Sequence, residues 1–204
     1  MINLYNQDCL EAMKKMDDNS YELAIVDPPY GINIAKWDSR DKKPTKEYFV
    51  ELFRVSKHQI IWGSNYFHLP HSEAWICWHK LKGLNKGLGT MSEFELAWTS
   101  FDKKATYLGL TYLGNTIGFD RPKPNYNMKK RIHPTQKPVQ LYTWILNNYA
   151  KEGDKILDTH LGSGSIAIAC HNLGFDLDGY ELDVDYFEAA SKRLKEHQRQ
   201  LRLF

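Results

Sequence analysis

Lys155-Ile156-Leu157-Asp158-Thr159-His160-Leu161-Gly162-Ser163-Gly164-Ser165-Ile166-Ala167 is the stretch that decides the fold. A short apolar strand runs into an acid, then a glycine-rich turn, then a helix predicted from Ser165 to Asn172 and stopped by Gly174. Gly162, Gly164 and Ala167 satisfy the G-x-G-x-x-G/A spacing of a turn whose backbone can approach a nucleotide. Taken alone, the same spacing serves about equally well as a device for packing a helix on a strand.

Two acids refine the reading. Glu181 lies 23 positions beyond Asp158, at the end of the next predicted strand, where a carboxylate can take both ribose hydroxyls of a nucleoside. Asp158 sits where a dinucleotide fold would hold pyrophosphate. A carboxylate there repels a diphosphate and attracts an ammonium, so the turn suits a cationic amino-acid nucleoside, and S-adenosylmethionine is that ligand.

Working outward, strands and helices alternate. Strands are predicted at Ile2–Tyr5, Glu22–Val26, Gln59–Trp62, Ala74–Trp78, Phe94–Thr99, Lys155–Leu157 and Leu177–Tyr180. Helices are predicted at Leu10–Met16, Lys46–Ser56, Lys137–Tyr149, Ser165–Asn172 and from Asp183 to about Leu201, with Phe187, Ala190 and Leu194 on one face. Such alternation with buried strands predicts an α/β fold, a mostly parallel sheet with helices on both faces. Residues 31–45 and 101–136 read as long irregular segments, a length that usually means function.

A second site follows the apolar run Leu23-Ala24-Ile25-Val26: Asp27-Pro28-Pro29-Tyr30. The prolines fix φ and lack N–H groups, which stiffens the turn. An acid, a free carbonyl and an aromatic face at one point make a receptor for a planar heterocycle with an exocyclic amine. A Pro-Pro turn after a strand is, by itself, more often a structural stop.

Composition narrows the classes. With 204 residues, 42% of them hydrophobic, one domain spanning 1–204 with a sizeable core is expected. The net charge of +2 announces no polyanion partner, so charge placement must decide that. Cys9, Cys77 and Cys170 are too scattered for a disulfide framework or zinc site, which suggests reduced thiols and a cytoplasmic setting. No run reaches transmembrane length, and Met1-Ile2-Asn3-Leu4 lacks a leader pattern, so a soluble, unexported protein is expected. His68, His71 and His79 have no acid or cysteine at ligand spacing, and no metal is expected. Trp62, Trp75, Trp78 and Trp98 fall in strands and read as core.

Asp27-Pro28-Pro29-Tyr30, His133-Pro134-Thr135-Gln136-Lys137-Pro138 and Asp158-x-x-x-Gly162-Ser163-Gly164-Ser165 resemble motifs IV, X and I of the amino-methylating DNA methyltransferases. The catalytic motif precedes the cofactor motif, which is the order of the β class. Asn6-Gln7-Asp8-Cys9-Leu10 and Gly179-Tyr180-Glu181-Leu182-Asp183 also resemble family segments, so the likeness covers nearly the whole chain. It implies a Rossmann-like, S-adenosylmethionine-dependent methyltransferase fold of seven strands in circularly permuted order, with strands from opposite ends of the chain building one pocket. It departs at Thr159-His160, where relatives commonly carry Pro-Phe, and at Ser165, where they carry Thr.

The roles implied are these. Asp27, Pro28, Pro29 and Tyr30 would be catalytic. Asp8, Cys9, His133, Thr135, Lys137, Asp158, His160, Gly162, Ser163, Gly164, Ser165 and Glu181 would surround the cofactor, with Asp8 near the adenine and Glu181 on the ribose. The acceptor would be the amine of a flipped adenine in DNA, as in a restriction–modification system of bacterial, phage or mobile-element origin. DNA contacts would come from local charge. Arg121, Lys123, Lys129, Lys130 and Arg131 put five cations and no acid between 121 and 131. Lys80, Lys82 and Lys86 interleave with Gly83, Gly87 and Gly89. Segments 79–94 and 101–132 are thus the candidate recognition loops, and 31–45, with Lys36, Trp37 and Arg40, would close over the base. Pairing into a homodimer, as many β-class relatives do, would give a small enzyme a second grip on the duplex. Three alternatives stand: a cytosine amine as acceptor, where Ser more often replaces Asp27; RNA or a protein amide, where Asn is usual; and a silent DNA-binding module.

Overall fold

The computed structural model describes residues 1–33, 36–80, 92–113, 116–118, 123–124, 132–133 and 135–200, of which 36, 113, 116–118 and 123–124 are described by backbone alone. In chain order the elements are β1 (Ile2–Tyr5), α1 (Cys9–Met13), β2 (Tyr21–Val26), α2 (Lys46–Val55), β3 (Ser56–Trp62), β4 (Trp75–His79), β5 (Phe94–Thr99), β6 (Thr106–Gly109), β7 (Thr111–Leu113), β8 (Thr116–Gly118), β9 (Lys123–Pro124), α3 (Val139–Tyr149), β10 (Lys155–Asp158), α4 (Ser165–Leu173), β11 (Asp176–Tyr180) and α5 (Val184–Arg199). They gather into two compact units, Met1–Gln59 with Ile132–Phe204, and Ile60–Arg131.

In the first unit the strand order is β1–β11–β10–β2, every pairing parallel. Leu4 pairs with Gly179 and Leu157 with both Asp178 and Ala24. The first strand therefore lies beside the last, so both ends of the chain build one sheet. The expected Rossmann-like arrangement is present. Leu23, Ala24, Ile25 and Val26 of β2 are all buried, as are Ile156 and Leu157 of β10, the continuous apolar pattern of strands covered on both faces. The helices pack as α1 with α2, and as α4 with both α3 and α5. Asp8, Thr45 and Asp183 cap α1, α2 and α5 by accepting backbone N–H bonds, each cap contributing about 1 kcal/mol.

Because parallel strands share a direction, the carboxyl ends of all four open on one edge. Asp27 follows β2, Asp158 ends β10, and Glu181 follows β11. In open α/β sheets the ligand crevice lies at that edge.

The second unit pairs β3 with β5 and β5 with β4 antiparallel, and β4 with β6 parallel. A separate antiparallel ladder joins β7, β8 and β9. Trp62, Trp78 and Trp98 are buried, and the Trp78 and Trp98 indoles donate to Leu110 O and Pro70 O, each at 2.8 Å. Apart from the β7–β9 ladder, four strands pair in each unit among the described residues, eight where seven were expected. The addition is β6, inside the stretch read as irregular: Leu108 is buried and Tyr107 exposed, a short edge strand whose alternation is cut off by Gly109. No helix among the described residues is long and apolar enough to cross a membrane.

Candidate active site

Asp27 emerges from a buried strand onto two prolines, and its carboxylate is held from two sides. Tyr30 Oη donates to Oδ1 at 2.6 Å, and Lys137 Nζ donates to Oδ2 in an ion pair. Lys137 is almost fully buried, so the pair is shielded from solvent on the lysine side. The sequence grouped Asp27 with Tyr30 and assigned Lys137 elsewhere; the fold joins all three.

The glycine turn between β10 and α4 carries the second group. Gly162 and Gly164 have φ of +52° and +70°, left-handed conformations that glycine adopts without a Cβ penalty. The Gly162 N–H donates to Glu181 Oε2 at 2.8 Å and the Asp183 N–H to Glu181 Oε1 at 2.9 Å. Glu181 thus ties the turn to the start of α5. Arg193, a residue the sequence does not single out, reaches back from α5 to donate to Ser163 O at 2.8 Å and Ser165 Oγ at 3.0 Å.

Asp158 is buried, and its Oδ1 accepts the His160 N–H at 3.0 Å. Burial pushes its carboxyl up to about 8; the His160 bond opposes that, Asp27 and Glu181 reinforce it, and Lys137 opposes it. Burial also raises Glu181. Cys9, its thiol pushed up to about 12 by burial and then by Asp8, is an unreactive thiol. Asp8 itself accepts from Leu10 N and Glu11 N as a helix cap.

Thr159 and His160 form a buried chain: Tyr48 Oη lies 2.7 Å from Thr159 Oγ1, which lies 2.9 Å from His160 Nδ1. Burial lowers His160 to about 4, so the ring is neutral near pH 7 and acts by shape and hydrogen bonding. The His133 ring packs between Trp37 (centroids 4.7 Å) and Tyr186 (4.4 Å), and its Nδ1 is 3.0 Å from Thr135 Oγ1. Burial lowers its pKa.

Of the cations expected on DNA, Arg40 is exposed in the short turn Arg40–Lys42. Lys82, Lys86, Arg121, Lys129, Lys130 and Arg131 lie outside the described residues, as do the side chains of Lys36 and Lys123. No group of three or more His, Cys, Asp or Glu suited to a metal ion occurs among the described residues.

A family model described as DNA methylase matches residues 77–192, more than half of the chain. The chain is 25% identical to the Type II methyltransferase M.HpaI of Haemophilus parainfluenzae, with 91% of this chain and 71% of that protein covered. Among solved structures it resembles the M1.HpyAVI–SAM complex (TM-score 0.61, 23% identity, 95% and 100% of the two chains). It also resembles the cytosine-N4-specific PvuII DNA methyltransferase (TM-score 0.61, 12% identity, 96% and 90%). Both likenesses bear on the fold.

Proposed function

The chain belongs to the DNA methylase family, and from that membership we propose that it methylates the exocyclic N6 amine of an adenine flipped out of DNA, with S-adenosylmethionine as donor and S-adenosylhomocysteine as product. The observation that carries the reading is the convergence of Asp27 with Tyr30, and of Asp158 with the glycine turn and Glu181, at one edge of four parallel strands. An amine receptor and a nucleoside turn at one edge are what methyl transfer to an amine requires.

The donor set fits the cofactor. Asp158 is a buried acid beside the turn, suited to an ammonium and hostile to a diphosphate, and the next strand ends in the carboxylate of Glu181. S-adenosylmethionine supplies a methyl group on a positively charged sulfur. Asp27 and the Pro28 carbonyl each accept one hydrogen of the adenine amine. This draws the nitrogen lone pair out of the ring and toward the methyl carbon. As the N–C bond forms and the C–S bond breaks, Asp27 stabilises the positive charge on nitrogen. The proton leaves afterwards, when the methylated amine is acidic, so no strong base is needed. Tyr30 offers its ring to the base. Flipping costs about a few kcal/mol of unstacking, offset by phosphate contacts from Lys36, Arg40, Lys82, Lys86, Arg121, Lys123, Lys129, Lys130 and Arg131; Lys80 is buried and paired with Glu95 at 3.0 Å, so it is not among them. We read residues 1–204 as one catalytic domain whose second unit bears those recognition loops. The protein works in the cytoplasm, beside the DNA of a restriction–modification system.

A cytosine amine is the runner-up, favoured by the likeness to a cytosine-N4-specific enzyme. Incubation with methyl-labelled S-adenosylmethionine, separately with DNA and RNA, followed by nucleoside analysis, separates the readings. N6-methyladenine in DNA is expected. N4-methylcytosine would shift the assignment to the runner-up, and label in RNA alone, or in neither, would overturn it.

A further inference from the structure

Asp38 is fully buried and takes no part in the chemistry above. Its carboxylate accepts three successive backbone amides: Tyr30 N at 2.6 Å and Gly31 N at 3.0 Å on Oδ1, and Ile32 N at 3.2 Å on Oδ2. Its own carbonyl accepts Asn33 N at 3.0 Å. The chain from 30 to 33 is wound around this one residue, helped by positive φ at Gly31 (+73°) and Asn33 (+60°). Consecutive amides aimed at one point form a nest for an anion, and here the anion is a side chain of the protein itself. Charge-assisted bonds of this kind are about twice as strong as neutral ones, and burial removes the competition from water.

The same short turn reaches the other catalytic segment. Trp37 packs its ring on His133, and a Cβ on Gly162 would lie 3.9 Å from that His133 ring. One end of the turn thus grips the loop after the two prolines, and the other rests on the segment over the glycine turn.

Resting on the amine-methylation reading, we infer that Asp38 is a positioning residue for methyl transfer: it fixes the backbone of Tyr30, so that the Tyr30 hydroxyl meets Asp27 and the ring meets the base. Asp38 does not touch the substrate. It acts through Tyr30, and Trp37 sets the register of that loop against His133. A misplacement of about 1 Å at such a site costs on the order of 10²-fold in rate.

The test is Asp38→Asn. Its amide can still accept on one oxygen, but it lacks the charge and turns an N–H₂ group toward an amide that needs an acceptor. The expected result is a fall of about 10–100-fold in kcat, with the Kd for S-adenosylmethionine within about twofold of wild type. Faster hydrogen exchange should be confined to the amides of 30–32, while β2 and β10 keep their protection. In wild type those amides should exchange on the order of 100-fold slower than unprotected ones, a measurement that stands even if the variant does not fold. Wild-type kcat in Asp38→Asn, or unprotected amides at 30–32 in wild type, overturns the inference. If the wild-type protein methylates no DNA, the functional reading fails instead, and exchange at 30–32 still reads the grip of Asp38.

Discussion

Lys137 Nζ hydrogen-bonds Asp27 Oδ2 across 110 positions of sequence, with the lysine side chain 4% exposed and the carboxylate 21%. With Tyr30 on the other oxygen, the carboxylate has one orientation, and its remaining lone pairs are those that an incoming amine must use. Lys137→Met removes one of the two restraints. We expect kcat to fall about 10–100-fold, with cofactor Kd changed less than about threefold. Steady-state kinetics with calorimetric binding checks this; unchanged kcat with weakened cofactor binding would assign Lys137 to the cofactor.

Asp27→Ala takes away the acceptor that stabilises charge on the amine. Losing one preorganised electrostatic group of this kind costs about 10²–10³-fold in kcat, and here the same group also activates the nucleophile, so the loss should reach at least that range. Asp158 and the glycine turn are untouched, so cofactor binding should persist. Methylation by the variant at the wild-type rate would remove the mechanism.

Much of this was legible in the sequence, for a local reason. β2 and β10 carry the apolar runs Leu23–Val26 and Ile156–Leu157, each running into an acid, Asp27 or Asp158, so their type and their terminal residues follow from pattern alone. The adjacency of β1 to β11 came from resemblance, since no local pattern records which strands pair. Asp38 and Arg193 are not legible because Asp38 holds backbone amides and Arg193 reaches a carbonyl and a hydroxyl some 30 positions away, and a lone acid or arginine amid polar residues has no spacing that marks it. The strands after Thr106 were missed because each is two to four residues long, too short for alternation to register against the glycines around them.

Asp158 links cofactor binding to pH. Its folded value of about 8 lies above the usual 3.8, so in the free protein its protonation favours the fold. That contribution is complete below about pH 4 and is lost as pH rises through 8. An ammonium beside it favours the ionised form, so binding must expel its proton below pH 8. Affinity for S-adenosylmethionine should then rise with pH toward 8, by up to about tenfold per unit. Near pH 7 close to one proton should pass to the buffer. His160, lowered to about 4, stays neutral throughout. Titration calorimetry in two buffers of different ionisation enthalpy measures the proton; identical heats would mean that Asp158 is already ionised or is not approached.

Gly164→Ala and Gly153→Ala separate backbone strain from close packing at the glycine turn. Both positions have left-handed φ, +70° and +86°. A Cβ at Gly153 meets nothing within 4 Å, whereas at Gly164 it lies 3.1 Å from Ala190 Cβ and 3.6 Å from Ala190 Cα. Gly153→Ala therefore carries only the conformational cost, about 1–2 kcal/mol. Gly164→Ala carries the same cost and must also push α5 away from the turn, adding about 1–3 kcal/mol of overpacking. For a chain of this size each kcal/mol is about 2–4 °C in Tm, so Gly164→Ala should melt several degrees below Gly153→Ala. Displacing α5 also pulls on Arg193 and Asp183, which hold Ser163 and Glu181, so Gly164→Ala should weaken cofactor binding while Gly153→Ala leaves it intact. Equal melting temperatures and equal cofactor affinities in the two variants would mean that α5 yields freely and that the turn does not depend on its support.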